Sequence, residues 1–175
     1  MRNILVLCKL NSATSLMVEA LINGRAQGRW RAVSAGSAPA TVMNPFTASA
    51  LKEHFQEQGG AKASVRAILN ELHPKSWRDF EGASAPRFEI VLTVSENVSW
   101  EEMPVWNGVP RLLHWALPDP LAVACTPSER AGVFAAVLGL ARAKVDAFLA
   151  EEAQALRLSG GANDNRSSPL RRVGT

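Results

Sequence analysis

The sequence predicts a doubly wound α/β domain with a four-stranded parallel sheet, and three features carry that prediction. Short apolar runs alternate with longer stretches of helical character. The first run, Ile4 to Cys8, is apolar throughout, as a strand buried on both faces requires. Turn and cap residues punctuate the boundaries, among them Gly28, Gly36, Asn44-Pro45 and Gly59-Gly60.

The first strand spans Arg2 to Leu7 and ends at Cys8. A polar loop follows, then a buried helix over Ser15 to Ile22 whose end Gly24 and Gly28 bracket. Trp30 to Ala35 forms the second strand, closed by Gly36. Asn44 caps a helix that Pro45 opens, because proline suits the first helical position, and this helix runs to about Gln58. Lys62 to Glu71 forms a further short helix, ended by Pro74. Phe88 to Val94 is the third strand and Arg111 to Trp115 the fourth. After the stiff Pro118-Asp119-Pro120 loop, Pro127 opens a long helix that continues to about Ala153. The domain is thus expected over residues 1–156. Residues 157–175, rich in Ser, Gly, Asn and Arg, read as a disordered tail.

Composition narrows the function. A chain of 175 residues supplies one self-standing core. Its two cysteines, Cys8 and Cys125, make no disulfide framework and lack zinc spacing, which points to a reducing cytoplasm. No metal or cofactor is expected. The apolar run at the N-terminus is too short for a signal peptide or a membrane span. Net charge is +3, of which Arg166, Arg171 and Arg172 against Asp164 supply +2 in the tail. The domain itself is nearly neutral, and no basic stripe interleaved with aromatics suggests nucleic acid. Ligands of doubly wound sheets sit beyond the carboxyl ends of the strands, where connections diverge. Cys8 lies at such an end.

Val6-Leu7-Cys8-Lys9-Leu10-Asn11-Ser12-Ala13-Thr14-Ser15 resembles the signature of the low-molecular-weight tyrosine phosphatases. That signature has a Cys, two variable residues, Asn, two more variable residues, then Arg and Ser. Further stretches resemble the arsenate reductase branch of the same family. They are Ser34-Ala35-Gly36 with Val42-Met43-Asn44-Pro45, Pro74 to Phe80, Pro104-Val105-Trp106-Asn107-Gly108, and His114 to Pro120. Together the matches run from Asn3 to Leu149. The resemblance implies a flavodoxin-like, four-stranded parallel sheet with helices on both faces. It also implies a nucleophilic Cys8, a general acid at Asp119, and an oxyanion cradle from Lys9, Leu10, Asn11, Ser12, Ala13, Thr14 and Ser15.

The chemistry needs these residue types. A loop between a strand and a helix aims several N–H groups at one point, where the helix dipole adds about half a positive charge. A thiol there is expected to ionise more easily, and the thiolate is the nucleophile. Asn11 tolerates the left-handed backbone such a loop uses. By resemblance, Ser15 donates to the thiolate, and a protonated Asp119 hands a proton to the leaving oxygen.

Three expected groups are absent. The resemblance places an arginine where Thr14 stands, and a short neutral hydroxyl does not replace a bidentate cation. The relay cysteines of thioredoxin-coupled arsenate reduction correspond to Ser95 and Met103, neither of which forms a disulfide. Cys125 falls where the resemblance expects no cysteine. Leu10 stands where many relatives carry glycine. Lys9 reads as a solvated loop residue, with supply of charge to an anion as its alternative. His114 and the tryptophans at 77, 100, 106 and 115 read as packing residues, with Trp106 a candidate for the site mouth. Two functions fit these residues. One is a degenerate protein that binds phosphate, sulfate or arsenate, or a protein partner, through the loop. The other is an active phosphatase or arsenate reductase using Cys8 and Asp119.

Overall fold

The computed structural model describes residues 1–95 and 103–161, with side chains as far as Leu158. Four strands, β1 (Arg2–Cys8), β2 (Trp30–Gly36), β3 (Ile90–Thr93) and β4 (Arg111–His114), form one parallel sheet in the order β2-β1-β3-β4. The helices are α1 (Thr14–Arg25), α2 (Pro45–Glu57), α3 (Lys62–Glu71) and α4 (Arg130–Gly161), with a 3₁₀ turn at Trp77–Phe80. Asn44 caps α2 as expected, its side chain accepting from the Phe46 N–H at 2.9 Å.

Period-two alternation divides the strand residues between two cores. Ile4, Val6, Cys8, Ala32, Ile90 and Leu92 face one core, where Leu16, Met17, Leu21, Leu51 and Phe134 of α1, α2 and α4 cover them. Leu5, Leu7, Ala35 and Val91 face the other, which Trp77, Phe88 and Trp106 cover. On that second side the covering helix, among the described residues, is the single 3₁₀ turn. Trp106 belongs to this core and does not line the cavity at Cys8.

Strand β3 is shorter than expected, Ile90–Thr93 against Phe88 to Val94, and three helix boundaries move by three residues or more. Helix α1 runs through Gly24 to Arg25. A Cβ at Gly24 would stand 3.0 Å from the Phe55 ring, so the glycine serves the approach of α2 rather than a helix end. Helix α4 starts at Arg130 because residues 127–129 form a turn, in which Thr126 Oγ1 donates to Glu129 Oε2 at 2.7 Å. At its other end α4 passes Ala153 and reaches Gly161, sustained by good helix formers such as Ala, Leu, Gln and Arg. The first residues of the expected tail are therefore helical. The remainder of that tail, with Arg166, Arg171 and Arg172, lies outside the described residues, as does Trp100.

The amino ends of the strands are tied by charge. Glu152 of α4 accepts from Arg2 at 2.7 Å and from Arg111 at 2.6 Å, and Arg2 also reaches Glu89 at 3.1 Å. The Arg2 guanidinium lies 3.8 Å above the Trp30 ring. Burial works to raise the Glu152 pKa, but the hydrogen bonds and charges of Arg111 and Arg2 outweigh it and hold the carboxyl below its usual range. Among the described residues, no helix is long and apolar enough to cross a membrane.

Candidate functional site

Strand β1 lies inside the sheet, with β2 on one side and β3 on the other. The chain leaves it for β2 on one side and, after β2, crosses back to β3 on the other, and this divergence opens a crevice at its carboxyl end. Cys8 closes the strand, and residues 9–13 turn into α1. The turn passes through Asn11 at φ 48°, the left-handed backbone expected there.

Backbone hydrogen bonds fix the loop from outside. The connector after β2 donates to it four times: Ser37 N–H to Cys8 O at 3.2 Å, Ala38 to Lys9 O at 2.9 Å, Ala40 to Leu10 O at 2.8 Å, and Asn44 to Ser12 O at 2.9 Å. Thr47 Oγ1 also donates to Ser12 O at 3.0 Å. In a trans peptide the next N–H points opposite to the carbonyl. Tying these carbonyls to the connector therefore turns the N–H groups of Lys9, Leu10, Asn11 and Ala13 away from it. One of them is engaged: the Asn11 N–H donates to Cys8 Sγ at 3.1 Å. Ala13 gives α1 no side-chain cap, so the first N–H groups of that helix add to the same donor-rich end. Gly36 permits the approach of loop and connector, since a Cβ there would meet Lys9 O at 2.5 Å.

A buried polar chain holds the loop from below. Asn11 Nδ2 donates to Ser15 Oγ at 2.8 Å and to Ser34 Oγ at 2.7 Å, while its Oδ1 accepts from the Lys75 N–H at 2.7 Å. Ser34 in turn donates from N and Oγ to Glu19 Oε2, at 2.9 and 2.6 Å. Lys75 Nζ closes the group with a salt bridge to Glu19 at 3.3 Å. Ser15 Oγ accepts from Asn11, which leaves its own hydrogen to point at Cys8 Sγ, 2.9 Å away. Glu19, Ser34 and Lys75 were not singled out in the sequence as parts of the site. A signal existed for Glu19, a single carboxylate inside the apolar run Leu16 to Ile22.

The electrostatics contradict one expectation. Burial pushes the Cys8 thiol up; the Ser15 hydroxyl and the Asn11 and Ser15 backbone N–H groups act against this without reversing it, and Asp119 adds to the rise. The thiol is therefore harder to ionise than a free cysteine and stays protonated at neutral pH. Among the described residues, no cation figures in the groups that shift the thiol.

A cavity of about 70 Å³ opens over Cys8, and Lys9 to Thr14, Val94, Ser95, Asp119 and Leu121 line it. All the loop residues expected at the site except Ser15, which lies beneath Cys8, border this space, and so does Asp119. Asp119 is exposed, and its Oδ1 accepts from the Leu121 N–H at 2.9 Å within its own turn. Lys9 is exposed and Leu10 partly so, the latter at the mouth. Thr14 is 7% exposed, and its hydroxyl points to the Pro118 carbonyl at 3.5 Å. Ser95 reaches the cavity, whereas Met103 packs against the second core. Cys125 is half-buried and lines no part of the cavity. His114 shares a hydrogen bond with Thr93 Oγ1 at 2.8 Å. Among the described residues, no three His, Cys, Asp or Glu side chains gather as a metal site.

No protein-family model matches the chain, and no curated protein matches it by sequence. Solved structures do. An arsenate reductase in its reduced state aligns over 86% of this chain and 98% of its own, at TM-score 0.60 and 18% identity. The arsenate reductase of Archaeoglobus fulgidus aligns over 84% and 98%, at TM-score 0.57 and 23% identity. The low-molecular-weight protein tyrosine phosphatase of T. tengcongensis aligns over 86% and 99%, at TM-score 0.54 and 16% identity. This chain has the arsenate reductase and low-molecular-weight phosphatase fold. Within that fold, the flavodoxin-like parallel sheet expected from the sequence is present, and the Cys8 loop occupies the carboxyl end of an inner strand.

Proposed function

We propose that the chain is a degenerate member of the arsenate reductase and low-molecular-weight phosphatase family, a cytoplasmic protein whose Cys8–Ser15 loop holds a small oxyanion without transferring it. The observation that carries this is Thr14. Phosphoryl transfer requires a cation on the equatorial oxygens of the moving group, and a bidentate guanidinium supplies it best. Thr14 is neutral, nearly buried, and turned toward the Pro118 carbonyl. Loss of one preorganised donor costs roughly 10²–10³ in turnover, and loss of a charged fork costs at least that. The protonated Cys8 thiol supports the same reading, since the unassisted nucleophile is the thiolate. Arsenate reduction lacks a relay as well, because Ser95 and Met103 hold no thiol.

Binding outlasts catalysis in this account. The backbone donors of the loop do not depend on residue 14, and Lys9 at the rim supplies one positive charge. Phosphate, sulfate or arsenate is the ligand class that fits, and the exposed rim around the loop is where a protein partner would dock. An active enzyme is the second reading, favoured by Cys8 and Asp119 lining one cavity. In that case the Cys8 thiol first loses its proton to solvent, and the thiolate Sγ attacks phosphorus as the bond to the leaving oxygen breaks. Asp119 protonates that oxygen, and water then hydrolyses the cysteinyl phosphate to free the thiol and release phosphate.

The test is to assay purified protein with an aryl phosphate, and with arsenate plus a thioredoxin system, beside Cys8→Ser. Turnover of both should match that of the variant, while phosphate at tens of millimolar should raise the Tm by mass action. Robust Cys8-dependent turnover of either substrate would overturn the degenerate reading in favour of the second.

A further inference from the structure

A second cavity, of about 580 Å³, lies between α2 and α3 and shares no residue with the one at Cys8. Its size falls within the roughly 300–1,000 Å³ usual for small-molecule sites. Three cations line it, Lys52 of α2 with Lys62 and Arg66 of α3, and among the described residues no acid does.

That charge is uncompensated. Lys62 and Arg66 are four residues apart on one helix, where like charges are mutual neighbours and destabilise. Among the described residues, none of the three cations forms an ion pair. The acids of α2 are turned elsewhere: Glu53 and Glu57 line the groove facing α4, with His54 and Arg142. Helix α3 also begins without a side-chain cap at Ala61, which leaves the N–H groups of its first turn without a side-chain acceptor beside Lys62.

The groove is not polar throughout. Val65, buried between the two cations of α3, and the half-buried Leu69 form an apolar floor. Gln56 and Asn70 line it as well and bring amide donors. Cations over an apolar floor suit a ligand with an anionic group on an apolar body.

We propose that the α2–α3 groove binds a small organic phosphate, its charged group held by Lys52, Lys62 and Arg66 and its body resting on Val65 and Leu69. This site is separate from the Cys8 loop and independent of the function proposed for it.

Adenosine diphosphate, pyrophosphate and inorganic phosphate serve as probes, titrated separately into the full ¹⁵N-labelled chain. ADP should produce saturable amide shifts over residues 52–56 and 62–70, and should bind at least about tenfold more tightly than inorganic phosphate. Pyrophosphate should be weaker than ADP, because it leaves the floor unused. The double variant Lys62→Glu, Arg66→Glu should weaken ADP at least about tenfold. Lys52→Ala, on the other helix, should weaken it by a smaller factor even if charge reversal disturbs α3. Shifts confined to residues 8–15, no saturable shift, equal binding of ADP and pyrophosphate, or variants that bind as the wild type does would each overturn the proposal. A phosphate response at residues 8–15 reports on the Cys8 loop alone, so the two sites fail or survive separately.

Discussion

The two ends of the sheet treat polar groups in opposite ways. At the amino end, Glu152 meets Arg2 and Arg111, Arg2 meets Glu89 and stacks on Trp30, and each of these four charges has an opposite partner. At the carboxyl end, a buried thiol lies under a turn of backbone donors with neutral Thr14 beside it. The network below that turn is complete, but it serves the shape of the loop. One end is satisfied within the protein, and the other leaves its donors to something from outside. Stability should therefore respond to mutation at both ends, whereas ligand binding should respond at one.

The largest effect is expected from Asn11→Ala. This removes the partner of Ser15, Ser34 and the Lys75 N–H together, and forces a non-glycine, non-asparagine residue to hold φ 48°. With about 1–3 kcal/mol for each unsatisfied buried group and incomplete additivity, urea unfolding should show a loss of about 3 kcal/mol or more. Phosphate binding should vanish with it. Gly36→Ala comes next. The 2.5 Å approach of a new Cβ to Lys9 O forces loop and connector apart, at a cost of about 1–3 kcal/mol. The same titration should show weakened phosphate binding.

At the opposite end, Glu152→Ala should cost about 1–2 kcal/mol, kept modest because both arginines are partly exposed to water. It should leave phosphate binding at the loop unchanged, which separates the two ends. The pH dependence follows from the lowered carboxyl pKa. The stabilisation is full at neutral pH, fades as pH falls through the acidic carboxylate range, and is absent once Glu152 is protonated in both states. Glu152→Gln should flatten that part of the stability profile. Changing Cys8 chemistry should have the smallest effect on stability at neutral pH. Alkylation at pH 7 should modify half-buried Cys125 before buried Cys8, and Cys8 should react only well into the alkaline range. Fast modification of Cys8 at neutral pH would show a cation or dipole acting on it that outweighs burial.

The sequence disclosed the parts of this molecule governed by local chemistry. Apolar runs gave the strands, Asn44-Pro45 gave the start of α2, and the spacing from Cys8 to Ser15 gave the loop. What it concealed depends on contacts between distant residues. Gly24 resembles a helix stop until Phe55 is seen against it. Lys75 joins the site only because the chain after α3 returns beneath Asn11, and no local pattern records that. The thiol's proton affinity is hidden from the sequence for a related reason. Residues around Cys8 suggest donors, but burial, a property of the whole packed structure, decides the sign.

The central claim is that this site lacks a clamp rather than a cradle, and restoring the clamp tests it most directly. Thr14→Arg should bind phosphate more tightly than the wild type and hydrolyse an aryl phosphate measurably above background. That activity should disappear in Thr14→Arg, Cys8→Ser. Thioredoxin-linked arsenate reduction should stay absent unless Ser95→Cys and Met103→Cys are added. Tighter phosphate binding without turnover would show that Asp119 is not placed to act as an acid. A folded Thr14→Arg variant that neither binds phosphate nor turns over substrate would contradict the claim, because the loop would then be no cradle at all.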